Sequence, residues 1–220
     1  MVTAYFVPNA LLALPSGVVA LLVSYYAFRY GRMANSSFLR TLGSGFMLLG
    51  IGLVSQGSVF VLYDLNIGRI LDRIRLVYEA TIFYLVLQGI AYLLIALGYS
   101  RRLQRVEPAQ GSAVPSATAA AVATVPLLLG THIYEFAELI IIILNLVVVF
   151  QALVVYMEGR NRFSLLVFCS FALIAFAHFA LLISALVQSG ATYLSGDAVQ
   201  LVGFVLLLVF LIRSGRVGSA

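Results

Sequence analysis

Unbroken apolar runs of about twenty residues recur along this chain, with no alternation between polar and apolar positions. At 1.5 Å per residue, a helical run of that length crosses the roughly 30 Å hydrocarbon core of a bilayer. A transmembrane strand would show alternating segments of about ten residues instead. The runs therefore predict an all-α, polytopic membrane protein. Composition agrees: 63% of residues are hydrophobic and 10% charged, against about 25% charged in a soluble domain.

Six runs are plain. The first covers Asn9 to Phe28, the second Thr41 to Tyr63 and the third Leu76 to Tyr99. Later come Glu135 to Met157, Phe163 to Gln188 and Tyr193 to Ile212. The second is rich in glycine (Gly43, Gly45, Gly50, Gly52, Gly57), which lets helix backbones approach closely in lipid and predicts an interior position. Between the two groups lies Ala113 to Thr131, AVPSATAAAVATVPLLLGT, mildly apolar and interrupted by Pro115 and Pro126. Whether it crosses decides the orientation of everything after it.

Arginine placement decides the question, because cytoplasmic loops accumulate basic residues. If the segment crosses and the N-terminus is outside, Arg29, Arg32, Arg40, Arg101, Arg102, Arg105, Arg160, Arg162, Arg213 and Arg216 face the cytoplasm. Only Arg69, Arg73 and Arg75 then face outside. If it does not cross, Arg160, Arg162, Arg213 and Arg216 move outside and the bias vanishes. The expectation is a seven-transmembrane-helix bundle forming one domain over residues 1–220, in the cell membrane, with its C-terminus in the cytoplasm. It divides into a three-helix half over 9–99, a linker helix over 113–131 and a second three-helix half over 135–213.

A faint internal repeat fits this division. Phe28-x-x-Gly31-Arg32 parallels Tyr156-x-x-Gly159-Arg160, and Phe46 parallels Phe171. Gly89, Ser100 and Arg102 match Gly203, Ser214 and Arg216 at identical spacing. Two halves joined by a linker helix share an orientation, as in parallel-repeat transporters. This three-one-three plan resembles, in architecture alone, sugar transporters of the SWEET class and nicotinamide-riboside permeases. The proline–glutamine signature of the first group is absent, since Pro8 precedes Asn9 and the fifth span has no proline.

Two polar constellations stand out. One is an outer acidic mouth of His132, Glu135, Glu138, Asp197 and Gln200, with Glu79 nearby. His132-x-x-Glu135-x-x-Glu138 lies near one helix face and suits a divalent cation or a cationic solute. The ordinary alternative is that first-turn acids complement the helix dipole, and that Arg75 and Glu79 form an i,i+4 pair. The other constellation is Gln56, Gln88, Asn145 and His178, one from each of four spans, at a depth of roughly 10–18 Å by helical rise. Polar side chains there either hydrogen-bond helices together or line a polar cavity. The candidate ligand-binding residues are Gln56, Glu79, Gln88, Glu138, Asn145 and His178.

Other functions are closed off. The chain has no lysine for a retinal Schiff base, no phosphate-binding glycine loop, and no nucleophile–base arrangement. Cys169 is the only cysteine, which excludes an internal disulfide or an iron–sulfur site. By helical rise His178 lies roughly 15 Å deeper than His132, too far apart to sandwich a haem. No catalytic residue, metal site or cofactor is expected, and no nucleic-acid partner, because the arginines sit in short clusters between spans. The N-terminal MVTAYFVPNA lacks a basic region, so a cleaved signal peptide is not expected. The best function is a small-solute transporter or permease. The alternative is a non-enzymatic sensor or membrane subunit that docks a partner membrane protein, or a second copy, through its arginine-rich inner face or binds anionic lipid there.

Overall fold

In the computed structural model the described residues are 6–65, 70–106, 133–187 and 189–217. They form six helices: α1 (Phe6–Met33), α2 (Ser37–Asp64), α3 (Ile70–Val106), α4 (Ile133–Gly159), α5 (Arg162–Val187) and α6 (Gly190–Val217). The apolar spans within them are 24 to 29 residues long. At 1.5 Å per residue each is at least about 36 Å long, enough to cross a bilayer. Large apolar side chains point outward on several helices, among them Leu11, Phe150 and Phe176, each more than 60% exposed. Such a belt suits lipid rather than water. The chain is a multi-pass helical membrane bundle. The Ala113–Thr131 segment lies outside the described residues.

Each turn has a local cause. Asn35, at φ 45°, ends α1 in the left-handed region that asparagine tolerates. Ser36 is extended and its side chain accepts from Leu39 N, capping α2. Arg160, at φ 41°, ends α4 in the same way. Asn161 Oδ1 then accepts from Ser164 N at 2.7 Å, capping α5.

Glycines set how closely neighbours pack. Gly17 on α1 faces Gly50 and Val54 on α2, and Gly57 faces Leu14. Gly45 faces Ala91 and Ile95 on α3. Gly203 on α6 faces Ser170 and Ile174 on α5. These contacts make α1, α2 and α3 successively antiparallel, and α5 and α6 likewise. The described helices close a ring in which α6 returns to α1 and α3 packs on α4.

α3 and α4 run in the same direction. Gln151 Nε2 donates to Ser100 Oγ at 2.8 Å. About a dozen residues earlier on each helix, Gln88 and Glu138 meet one imidazole, that of His178. In consequence Arg29, Arg32, Arg40, Arg101, Arg102, Arg160, Arg162 and Arg213, all exposed, collect at one end of the bundle, and Arg75 lies at the other. Between the ends, an aromatic layer fills the centre. Phe46 stands edge-on to Phe204 at 5.7 Å and lies 6.4 Å from Phe171, which meets Tyr99 at 6.1 Å. Phe46 and Phe171, paired by the proposed repeat, thus face each other across the centre.

Candidate functional site

Four helices bring polar residues to one place, on the side of the aromatic layer away from the arginine end. α3 supplies Gln88 and Tyr92, one turn apart. α4 supplies Glu138 and Asn145, seven residues apart and therefore on one face. α5 supplies His178, and α6 supplies Asp197 and Gln200.

His178 is the hub. It is wholly buried, and Glu138 is 1% exposed. His178 Nδ1 lies 3.0 Å from Glu138 Oε2. On the other side of the ring, Nε2 lies 3.0 Å from Gln88 Nε2 and 3.1 Å from the Tyr92 hydroxyl. The Tyr92 ring stands at 89° to the imidazole, with centroids 5.6 Å apart.

These contacts serve two protonation states. When Nδ1–H donates to an ionised Glu138, the bare Nε2 accepts from the Gln88 amide and from Tyr92 O–H. When both ring nitrogens carry protons, Nε2–H needs an acceptor. The Tyr92 oxygen is one, and Gln88 Oε1, which has no partner among the described residues, becomes another if the amide turns over. Every arginine side chain that the structure describes is exposed. Among the described residues, His178 is therefore the only group that can balance Glu138 with positive charge at the site.

Further polar atoms converge without partners. Asn145, wholly buried, has neither amide atom hydrogen-bonded among the described residues. Gln200, 1% exposed, has an unpartnered Nε2. Both side chains approach the Tyr92 hydroxyl. Asp197, Tyr84, Tyr134 and Tyr193 lie close enough to Glu138 to feel its charge. A buried donor or acceptor left unpaired costs about 1–3 kcal/mol, so a water molecule or a polar ligand is the natural partner for these atoms.

The structure joins what the sequence separates. Glu138, assigned to the outer end, meets His178 of the deep set, and Gln200 joins Asn145 at the Tyr92 hydroxyl. Glu79 stands apart from this cluster: its side chain is 55% exposed and accepts from Arg75 Nε at 2.7 Å, one turn away. Gln56 is buried on α2 but makes no polar contact with the Glu138–His178 pair. Glu135 is half-buried at the start of α4, and His132 lies outside the described residues. Tyr92 is the residue the sequence reading missed. Its signal is the four-residue step from Gln88, matched on α6 by the stripe Tyr193, Asp197, Gln200, Phe204.

Comparison with known protein families, characterised proteins and solved structures finds no match to this chain. The site itself is the ground for a functional reading.

Proposed function

We propose that this protein is a small-solute transporter or permease, without enzymatic activity, whose solute site is the cluster around Glu138, Asn145 and His178. The observation that carries the reading is Asn145: a wholly buried amide, deep in an apolar span, that approaches the Tyr92 hydroxyl without forming a well-aligned hydrogen bond. Polar residues that serve only to hold helices together would be paired with one another. Unpaired ones beside a buried carboxylate–imidazole pair suit a polar visitor. The arginines at the opposite end follow from membrane orientation and need no docked partner to account for them.

The experiment is Asn145→Leu. The variant removes two unpartnered groups, so its thermal unfolding in detergent is expected to move upward, by about 1–3 kcal/mol of stability. Cells overproducing the wild type, given a defined mixture of small polar solutes, are expected to accumulate at least one of them by mass spectrometry, and Asn145→Leu cells are not. No accumulation by the wild type, or a destabilised variant that still accumulates, would sink the reading.

We also propose that the chain between Val106 and Ile133 crosses the bilayer, giving seven spans with the arginine end in the cytoplasm. The shared direction of α3 and α4 supports this, since their connection must then return from one end of the bundle to the other. With Cys169 replaced by serine and a single cysteine placed at the exposed position Asn161, a membrane-impermeant maleimide is expected to label lysed cells only. Labelling of intact cells would put the arginine end outside.

A further inference from the structure

The closest packing in this bundle stays inside each half of the chain. Gly17 and Gly50 bring α1 against α2, Gly45 brings α2 against α3, and Gly196 and Gly203 bring α6 against α5. At each of these five a Cβ would come within 3.2 Å of a backbone atom on the neighbouring helix. Among the described residues, every glycine whose Cβ would meet another helix faces one from its own half. In the second half α4 is held to α5 by the Glu138–His178 contact and by Tyr156 stacked on Phe168. The polar and central ring contacts that join α1–α3 to α4–α6 are of another kind, made by side-chain ends. Gln151 Nε2 donates to Ser100 Oγ at 2.8 Å, and Gln88 and Tyr92 reach His178 Nε2. Phe46 and Tyr99 meet Phe171 and Phe204. Helices packed backbone to backbone hold together as a unit, whereas a side-chain end can turn and exchange its partner for water.

We propose that α1–α3 and α4–α6 move as two rigid bodies about the aromatic layer, and that the Gln151–Ser100 hydrogen bond is the latch that closes the arginine end. This deepens the transporter reading above by naming the parts that move. The two polar joints lie on α3 at residues 88–92 and at residue 100, which a helical rise separates by about 12–18 Å. Phe46 lies between their levels, since its neighbour Gly45 faces Ala91 and Ile95. One joint therefore sits on each side of the layer, and the layer is the pivot. The Gln151–Ser100 joint parts without stranding either group. Ser100 Oγ goes on donating to Ala96 O on its own helix, at 3.0 Å. Gln151 is 3% exposed, and its Oε1 has no partner among the described residues. Parting the halves at the arginine end lets water reach both of its amide atoms, while the rings and the His178 joint hold the far side shut.

Spin-label distances test this without a solute. With Cys169 replaced by serine, cysteine pairs are placed at exposed positions of the full chain and measured by double electron–electron resonance in lipid nanodiscs. Ala34 with Glu158 spans the halves at the arginine end, and Leu76 with Leu186 spans them at the other. Ala34 with Arg101 and Glu158 with Arg213 each stay within one half. Ser100→Ala is expected to raise the long-distance fraction of the Ala34–Glu158 pair about two- to tenfold, the effect of losing one hydrogen bond. The other three pairs should keep their wild-type distributions. Tyr92→Phe, on the far side of the layer, should do the reverse: widen Leu76–Leu186 and leave Ala34–Glu158 alone. An unchanged Ala34–Glu158 pair in Ser100→Ala overturns the proposal. So does a within-half pair that widens as much, or a variant that loosens both ends together, since either would make the joint mere glue between helices. The solute assay above fails separately. Widening at one end in a chain that accumulates no solute leaves the two-body motion standing and sinks transport. Accumulation without widening leaves transport standing and sinks the latch.

Discussion

Glu138→Ala is expected to cost about 3–5 kcal/mol of stability, the usual consequence of removing one partner from a buried charged or hydrogen-bonded pair. For a chain of this size that lowers the midpoint of thermal unfolding by roughly 10 °C. The loss arises because His178 keeps its place, wholly buried, with Nδ1–H facing an empty space where an acceptor stood 3.0 Å away. His178→Ala should cost a similar amount for the converse reason. The informative variant is the double replacement Glu138→Leu with His178→Leu. It removes both polar partners together, and apolar substitution of a buried pair is commonly neutral or stabilising. The double variant is therefore expected to unfold close to the wild-type temperature while accumulating no solute. A double variant as unstable as the singles would mean that the pair exists to hold α4 on α5. A single variant of wild-type stability would mean that the 3.0 Å contact carries no weight.

The second large effect belongs to the α1–α2 contact. A Cβ at Gly17 would lie 2.7 Å from Val54 Cγ2, 3.0 Å from Val54 N and 3.2 Å from Gly50 O. A Cβ at Gly50 would meet Leu21 at 2.6 Å and Gly17 O at 3.0 Å. Backbone atoms cannot turn aside as a side-chain end can, so the helices have to separate. Gly17→Ala is expected to cost about 1–3 kcal/mol, as overpacking usually does, and Gly17→Leu to leave no monodisperse protein in detergent. Gly89 provides the contrast, since a Cβ there meets nothing within 4 Å. Gly89→Ala should stabilise by up to about 1 kcal/mol, because glycine is the poorer helix former. Size-exclusion profiles after graded heating check all three. Equal behaviour of Gly17→Ala and Gly89→Ala would contradict the close approach.

Much of the fold is legible in the sequence because the bilayer imposes so few solutions. The six apolar runs predict the six described helices, and glycine crowding in the second run predicts an interior position, which its close contacts with α1 and α3 bear out. The site was harder. Measured along the sequence, Glu138 belongs to a helix start and His178 to a helix middle, which sets them at different depths. That count assumes every helix begins at the membrane surface and stands upright. The α4 and α5 helices have 27 and 26 residues, more than the roughly 20 needed to cross. The 3.0 Å contact between residues 138 and 178 shows that the start of α4 and the end of α5 are not level. Glu79 shows the opposite limit: its spacing from Arg75 already contained the local explanation. Tyr92 was passed over because tyrosine is common in these spans, and only its four-residue step from Gln88 distinguishes it.

The aromatic layer has a consequence for movement. Phe46, Tyr99, Phe171 and Phe204 come from α2, α3, α5 and α6, two helices from each half of the chain. Each ring is held by rings on other helices, so no single rotamer change clears the axis. On the transporter reading proposed above, a solute passing from His178 toward the arginines would require these four helices to separate at the stack, and their return would leave the site open to one side of the bilayer at a time.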